Sequence, residues 1–441
     1  MPDVAARGPF ANRVWRKADS NVRGSMRGRN YLCHEGLSLQ PFALRNSPVR
    51  RLLPPRGSQC DVRHYARYRQ IERERDMRRR QILIAGGGIA ALGAGAAWVG
   101  ARRMGSADDA ASAAAAMRTP LSVDPEQFEL VRFATLAPNG HNTQPWRFAA
   151  RPGEIIIRPD FSRRTPVVDP DDHHIFVSLG CAAENLSLAG AARGKPGDIV
   201  FDNAGDGAIG FAYQPAAAEA SVLFDAIARR QSTRADYDGR PVSANDLRTL
   251  AAAAVVPGVD MILITDRPAI DRIRDLVVAG NSAQMADPAF VRELKSWLRF
   301  SPHRAIETGD GLFSVASGNP ALPEWLGPRF FDMFVTASSE NDSYASQLRS
   351  SSGVAVFVGQ RDDREHWALA GRACQRFALQ ATALGLKHAY INQPVEVASL
   401  RPELAALVGM AGRRPDIVMR FGHGPLLPYS QRRPVTAVLA A

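Results

Sequence analysis

Two stretches of this chain share one apolar rhythm. Residues 171–194 read DDHHIFVSLGCAAENLSLAGAARG, with apolar side chains recurring every three or four positions. That is a core helix with Asp172 as N-cap and Gly194 as its C-terminal stop. Residues 362–385, DDREHWALAGRACQRFALQATALG, carry the same pattern and predict a second helix over 363–385. Set at an offset of 191, the two agree at 7 of 24 positions, including both Asp pairs, Gly180 with Gly371 and Gly194 with Gly385. Further helices are predicted at 128–136, 222–230, 245–254, 266–279 and 290–300. Short strands are predicted at 154–158, 198–201, 261–265, 354–358 and 416–421. The mixture is α+β. The repeat predicts a duplicated unit: one half over 120–216 and a second over 217–441.

Charge is unevenly spread. The net charge is +11, but residues 1–80 hold 19 Lys+Arg against 7 Asp+Glu, leaving 36 against 37 for the rest. A body so close to neutral has no footprint for a polyanion, so a nucleic-acid partner is excluded. Residues 1–76 are Arg-scattered with no apolar periodicity, and read as disordered or as an upstream extension assigned ahead of a true start at Met77. From there MRRRQILIAGGGIAALGAGAAWVGARR matches a twin-arginine export signal over 77–106, with Arg79-Arg80 ahead of an uncharged stretch, 82–101. Small residues at 106–116 form a cleavage zone; uncleaved, 82–101 would serve as a membrane anchor. The expected location is therefore periplasmic or membrane-anchored. Gly86, Gly88 and Ala91 also satisfy a dinucleotide fingerprint, but no second strand with a terminal acid follows, so that reading fails.

Two motifs carry chemistry. APNGHNTQPWR, from Ala137, combines a Pro138–Gly140 turn with the amides of Asn139, Asn142 and Gln144, suited to a flat heteroatom-rich ring, and places Trp146 behind them. RRQSTRADY, from Arg229, sets Ser232 between Arg230 and Arg234 beyond a helix end, a donor set fit for a phosphate. Asp171-Asp172-His173-His174 invites a metal. Adjacent helical side chains diverge by about 100°, however, so the Asp residues are expected to cap and the His residues to face solvent or a loop, with no metal ligated. Cys181 and Cys374 fall in Ala-rich helices as small buried thiols, and no CxxC spacing occurs. Neither a GxSxG elbow nor a P-loop is present.

The two motifs resemble those of the FMN-dependent nitroreductase family, over about residues 120–441. Family members order them basic segment first; here the Asn-x-Gln-Pro-Trp loop precedes it by about ninety residues. That inversion resembles the Acg-like single-chain branch, and implies a nitroreductase-like fold whose two tandem halves form a pseudo-dimer, monomeric in solution, around one flavin site. The resemblance implies FMN contacts from Arg230, Gln231, Ser232 and Arg234 at the phosphate, ribityl and pyrimidine end, with Gln231 standing where the family more often has a basic residue. It implies contacts from Pro138, Asn139, Gly140, Asn142 and Gln144 on the opposite flank, and backbone contacts to flavin N5 and O4 from His388, Ala389 and Tyr390 of HAYINQP. A phosphate contact from Arg433 or Arg432 completes the set. It further implies hydride transfer from NAD(P)H through flavin N5 to a small aromatic acceptor, a nitroaromatic or quinone, with no protein acid or base required. Residues 285–345, rich in aromatics, Pro and Gly, are expected to be a lid. If that lid is closed, the alternative is a silent, FMN-sequestering protein.

Overall fold

The computed structural model describes residues 104–119 and 127–440. The basic leader, the twin-arginine pattern and residues 82–101 lie outside them. The stretch 106–116, expected to be a cleavage zone, is a helix, α1 (Ala107–Ala116), whose Ser106 cap accepts from Asp109 and whose Ala110 and Ala114 are buried.

The first half runs α2 (Gln127–Thr135), β1 (Trp146–Arg151), β2 (Glu154–Pro159), α3 (His173–Ala192), β3 (Gly197–Asp202) and β4 (Ala208–Tyr213). After α4 (Val222–Ile227) and α5 (Ala244–Ala253) come β5 (Val259–Ile264) and α6 (Arg267–Ala286). The insertion then contributes α7 (Pro288–Trp297), β6 (Leu298–Arg299), α8 (Pro302–Thr308), β7 (Leu312–Phe313), α9 (Gly327–Phe334) and α10 (Ala337–Arg349). The second half resumes with β8 (Gly353–Gly359), α11 (Arg364–Ala383), β9 (Lys387–Tyr390), α12 (Gln393–Glu396), α13 (Arg401–Leu407) and β10 (Ile417–Gly422).

The two large sheets have strand orders β1-β2-β4-β3 and β5-β8-β10-β9, antiparallel throughout. In each, a 20-residue helix follows the second strand, the third strand takes an edge and the fourth inserts beside the second. The duplication read from the two helices therefore extends to topology. Burial explains why their strands look unlike. GVAVFVG of β8 is buried at every position, because α11 covers one face of its sheet and α6 and α10 the other. GDIVFD of β3 alternates, since one face of its sheet is open.

The halves meet where α3 crosses α11. A Cβ on Gly180 would stand 1.9 Å from Ala368 O, and one on Gly371 2.1 Å from Val177 O. Only glycine at both repeat-related positions lets the backbones come so close. The C-terminal tail then crosses to the first half: Phe148 N donates to Val438 O at 2.8 Å, and Ala440 N to Phe148 O at 2.8 Å. Among described residues, the one helix apolar and long enough to cross a membrane is α3, which is mostly buried as this core element.

Local boundaries differ from expectation in three ways. The strands β1, β4 and β9 are not among those expected, and β9 takes in His388, Ala389 and Tyr390 of HAYINQP. The helix expected over 222–230 stops at Ile227, freeing Arg230 from helical geometry. The one expected over 266–279 runs on to Ala286.

Candidate functional site

A cavity of about 670 Å³ lies between the two motifs. Pro138, Asn139 and Gly140 line it together with Arg234, Tyr390, Asp169, His174 and Cys181. Phe290, Phe300, Phe331 and Tyr344 of the insertion also line it.

The first motif divides its labour differently from expectation. His141, Asn142 and Gln144 have φ of 46°, 54° and 54°, a region that costs non-glycine residues about 1 kcal/mol or more each. Buried hydrogen bonds hold them there. Asn142 Nδ2 donates to Gly311 O at 3.0 Å and Gln431 O at 3.2 Å, while its Oδ1 accepts from Arg432 Nη1 at 2.7 Å. Gln144 Nε2 donates to Gly309 O at 2.8 Å, and its Oε1 accepts from Arg433 N at 2.9 Å. These two amides tie the loop to the insertion and the C-terminal tail; neither lines the cavity. Asn139 lines it and also braces the loop, accepting from Gln144 N at 2.7 Å.

The basic segment divides likewise. Gln231 is spent on Leu427, donating to its carbonyl at 2.7 Å and accepting from its N–H at 2.8 Å. Ser232 bridges to His388, and Thr233 N donates to His388 O at 2.8 Å; this fixes the segment along β9. Ala389 is buried within that strand. Arg234 opens into the cavity, and no side-chain partner is found for it among described residues. Burial, opposed by Tyr344 and Tyr237, holds its guanidinium below the usual value. The buried Arg420, absent from the sequence reading, places it by donating to Thr233 O at 3.1 Å and Ala235 O at 2.9 Å, either side of Arg234.

Deeper in, Arg230 is 4% exposed. It donates to Leu136 O at 3.2 Å but leaves Nε and Nη1 without a partner. Arg432 lies nearby, donating to Thr135 O at 2.9 Å, Ala137 O at 3.2 Å and Asn142 Oδ1 at 2.7 Å. Burial, then Arg118 and Arg230, pushes it well below its ordinary value. Burial also takes Arg118 down to about 10, Tyr429 opposing and Arg230 adding to the fall. Among described residues none of these three is ion-paired. Arg118 escaped the sequence reading because it stands alone in an Ala-rich stretch. Arg433 is half-buried, with Nη2 on Ala437 O at 2.5 Å, and does not line the cavity. His388 is buried with neither ring nitrogen partnered; burial, then the charges of Arg230, Lys387 and Arg420, hold it neutral.

The histidine pair overturns its expected exposure. Asp172 adopts φ 60° and makes no cap bond. Asp169 caps α3 instead, accepting from His174 N at 3.0 Å with both oxygens. That rotation buries His173 completely, its Nε2 2.9 Å from Asp416 Oδ1, and turns His174 to the cavity. Burial raises Asp416 to about 7. The two imidazole Nδ1 atoms sit 3.4 Å apart, so adjacent side chains converge here. The tautomer follows from Asn392. Its Oδ1 accepts from Val418 N at 2.9 Å, leaving Nδ2 to donate to His174 Nε2 at 3.3 Å. His174 Nδ1 then carries the proton, facing Asp169 Oδ1 at 3.3 Å. Burial works against charging His174, but Asp169's hydrogen bond and charge outweigh it and raise its value. His141, with Nδ1 unpartnered, is driven down to about 4 by burial, then Arg234 and His174. The cavity lining thus combines one cation, Arg234, with an Asp–His pair; of the buried arginines, Arg118 lines a separate pocket and Arg230 and Arg432 line neither.

No family model matches the chain. A Mycobacterium tuberculosis protein named "Putative NAD(P)H nitroreductase Rv3131" is 29% identical over 325 residues, 70% of this chain and 90% of that protein. A second from that organism, "Putative NAD(P)H nitroreductase acg", is 26% identical over 323 residues, 70% and 93% of the two. Among solved structures, an FMN-dependent nitroreductase of Mycobacterium smegmatis in complex with NADPH aligns at 12% identity over 46% of this chain and 87% of that one, with a TM-score of 0.31. A nitroreductase with bound FMN from Bacteroides fragilis aligns at 14% over 48% and 96%, also at 0.31. In sequence, this chain is similar to proteins named as putative NAD(P)H nitroreductases.

Proposed function

We propose that the chain is an FMN-dependent oxidoreductase passing hydride from NAD(P)H to a small aromatic acceptor, a nitroaromatic or quinone. Bound FMN would supply the two-electron chemistry; the chain supplies charge, orientation and exclusion of water. The observation that carries the reading is a buried group of arginines beside the cavity. Arg118, Arg230 and Arg432 crowd together with no carboxylate ion-paired to them among described residues, an arrangement costly without an anion. A phosphate supplies that anion with matching geometry. The unpartnered Nε and Nη1 of Arg230 fit the same guest, since each buried orphan costs about 1–3 kcal/mol until it finds a partner.

Arg230 would hold the phosphate, with Arg118 and Arg432 adding charge. Arg234, held by Arg420, would stand against the pyrimidine edge and stabilise negative charge there. Pro138 to Gly140 would pack against the opposite flank, and the aromatic side chains of the insertion would keep water out. The relatives' names support NAD(P)H as donor.

The test is to purify the chain, release its cofactor and identify it. One FMN per chain is expected, with NAD(P)H oxidation when a quinone is added; FAD, two FMN or no flavin would sink the reading. One observation favours a second reading, in which the protein sequesters FMN without turnover. The lid is pinned: Asn142 and Gln144 bond its backbone, and Asp310 bridges Arg299, at 2.7 Å, and Arg163. FMN bound without donor oxidation would select it. Export by the twin-arginine route, to the periplasm or to a membrane through residues 82–101, belongs to the same proposal, since that route moves proteins folded around a cofactor. N-terminal mapping that finds nothing upstream of Met77 would support it.

A further inference from the structure

The site described so far does not use the sulfur pair beneath it. Cys181 and Cys374 come from α3 and α11, one from each half, and their Sγ atoms are 3.7 Å apart. Both thiols donate to one acceptor, Gly371 O, at 3.1 Å and 3.3 Å. They are 2% and 0% exposed, yet Cys181 is on the cavity wall and Cys374 is behind it. Their helices cannot drift apart without losing the Gly180–Gly371 crossing, so the sulfurs are held in contact. A disulfide bond is about 2.05 Å long; rotation about two Cα–Cβ bonds has only about 1.7 Å to close.

We infer that Cys181 and Cys374 form a dithiol–disulfide couple that exchanges two electrons with the guest of the cavity. The inference rests on the flavin reading for its partner. In the oxidising direction both S–H bonds break and one S–S bond forms. Two electrons and two protons leave the pair, and oxidised FMN, the two-electron acceptor, takes them up as its dihydro form. In reverse, the reduced cofactor returns the disulfide to two thiols.

Other partners are shut out. Burial, reinforced by Cys374, raises the Cys181 thiol well above its usual value, so neither access nor ionisation favours exchange with thiols in solvent. The charge of Arg230 opposes that rise. The cavity is therefore the route by which electrons reach the sulfurs. A disulfide there would also join the two halves covalently at their crossing.

The test uses the full-length holoprotein. Protein prepared in air is denatured in acid with N-ethylmaleimide present, and its peptides are mapped by mass. The expected product is a Cys181–Cys374 cross-linked peptide, two hydrogens lighter than its parts, which becomes alkylatable at both positions after reduction. Anaerobic titration with dithionite should take four electrons per chain in the wild type and two in Cys181→Ser or Cys374→Ser. Serine keeps the hydrogen bond to Gly371 and nearly the volume, so these variants are expected to fold. Two alkylated thiols at 181 and 374 in the air-oxidised holoprotein, with two-electron uptake, would overturn the couple. A chain isolated without flavin would sink the function reading separately. The peptide map of that air-prepared chain would still score the pair: a 181–374 cross-link keeps the disulfide, and two alkylated thiols reject it.

Discussion

Gly180→Ala isolates the contact on which the whole arrangement depends. On intrinsic propensity the change should help, because alanine is worth about 1 kcal/mol over glycine inside a helix. The crossing reverses that sign. The new Cβ would stand 1.9 Å from Ala368 O, a helical carbonyl that cannot rotate away, and reaching even 3.0 Å would part the helices by about 1.1 Å. A gap of that size forfeits a quarter to a half of the dispersion energy across the contact. Overpacking costs about 1–3 kcal/mol where side chains can yield; here backbone must yield, so the net expectation is a loss of about 2–4 kcal/mol after the propensity gain. Urea unfolding followed by circular dichroism would read it as a lower midpoint at unchanged slope. Gly385→Ala is the control. Its φ is +75° and nothing stands within 4 Å of the added carbon, so it should cost only the left-handed penalty of about 1–2 kcal/mol. If Gly180→Ala matches the wild type within about 0.5 kcal/mol, the two halves are not held by this crossing.

Three further outcomes follow. Arg420→Gln should leave Ala235 O without its donor and Thr233 O with Tyr237 Oη alone, at about 1–3 kcal/mol for the orphaned carbonyl, lowering the unfolding midpoint and releasing Arg234; an unchanged midpoint would contradict its bracing role. Arg234→Gln should weaken FMN binding roughly 10- to 100-fold, the worth of a charge-assisted hydrogen bond, with the fold intact; fluorescence titration of the released flavin reads it, and wild-type affinity would remove Arg234 from the site. The apoprotein should lose stability in mild acid through His388. Its folded value is depressed, so the imidazole stays neutral in the native state while the unfolded chain takes up a proton near pH 6.5. Stability is thus complete above that pH and falls below it by about 1.4 kcal/mol per pH unit. Urea midpoints between pH 8 and 5 should show the slope, to which the likewise depressed His141 adds, and His388→Gln should reduce it by about 1.4 kcal/mol per pH unit; the same slope in the variant would refute the assignment.

What the chain discloses before folding depends on the range of the interaction. The long helices are legible because period, cap and stop are local, and the repeat makes them legible twice. Arg234, Pro138, Asn139, Gly140 and Tyr390 line the cavity. Asn142, Gln144, Gln231 and Arg432 do not, and composition alone could not have separated them. An amide next to a ligand and an amide tying a loop to a backbone 169 residues away are the same letters. Arg118 and Arg420 stood in no motif at all. Asp169, His173 and His174 lie close in sequence, but their orientation is set by Asp416 and Asn392, more than two hundred residues on.

Why a duplicated chain should hold one site can be argued from where its copies differ. In α11, Asp363 caps the helix by accepting from His366 N at 2.9 Å, and the next acid, Glu365, is left in solvent. In α3 the matching Asp172 is left-handed and makes no cap bond, Asp169 takes over, and His174, the counterpart of Glu365, faces the cavity. The third strands diverge in the same way. β9 is closed along its edge by Ser232 and Thr233, whereas its counterpart β3 ends its sheet with Val200 62% exposed. The first half therefore offers no wrapped third strand and no adjoining basic segment among the described residues. A second flavin would need both, so one FMN per chain is the stoichiometry this asymmetry supports, and two would overturn it.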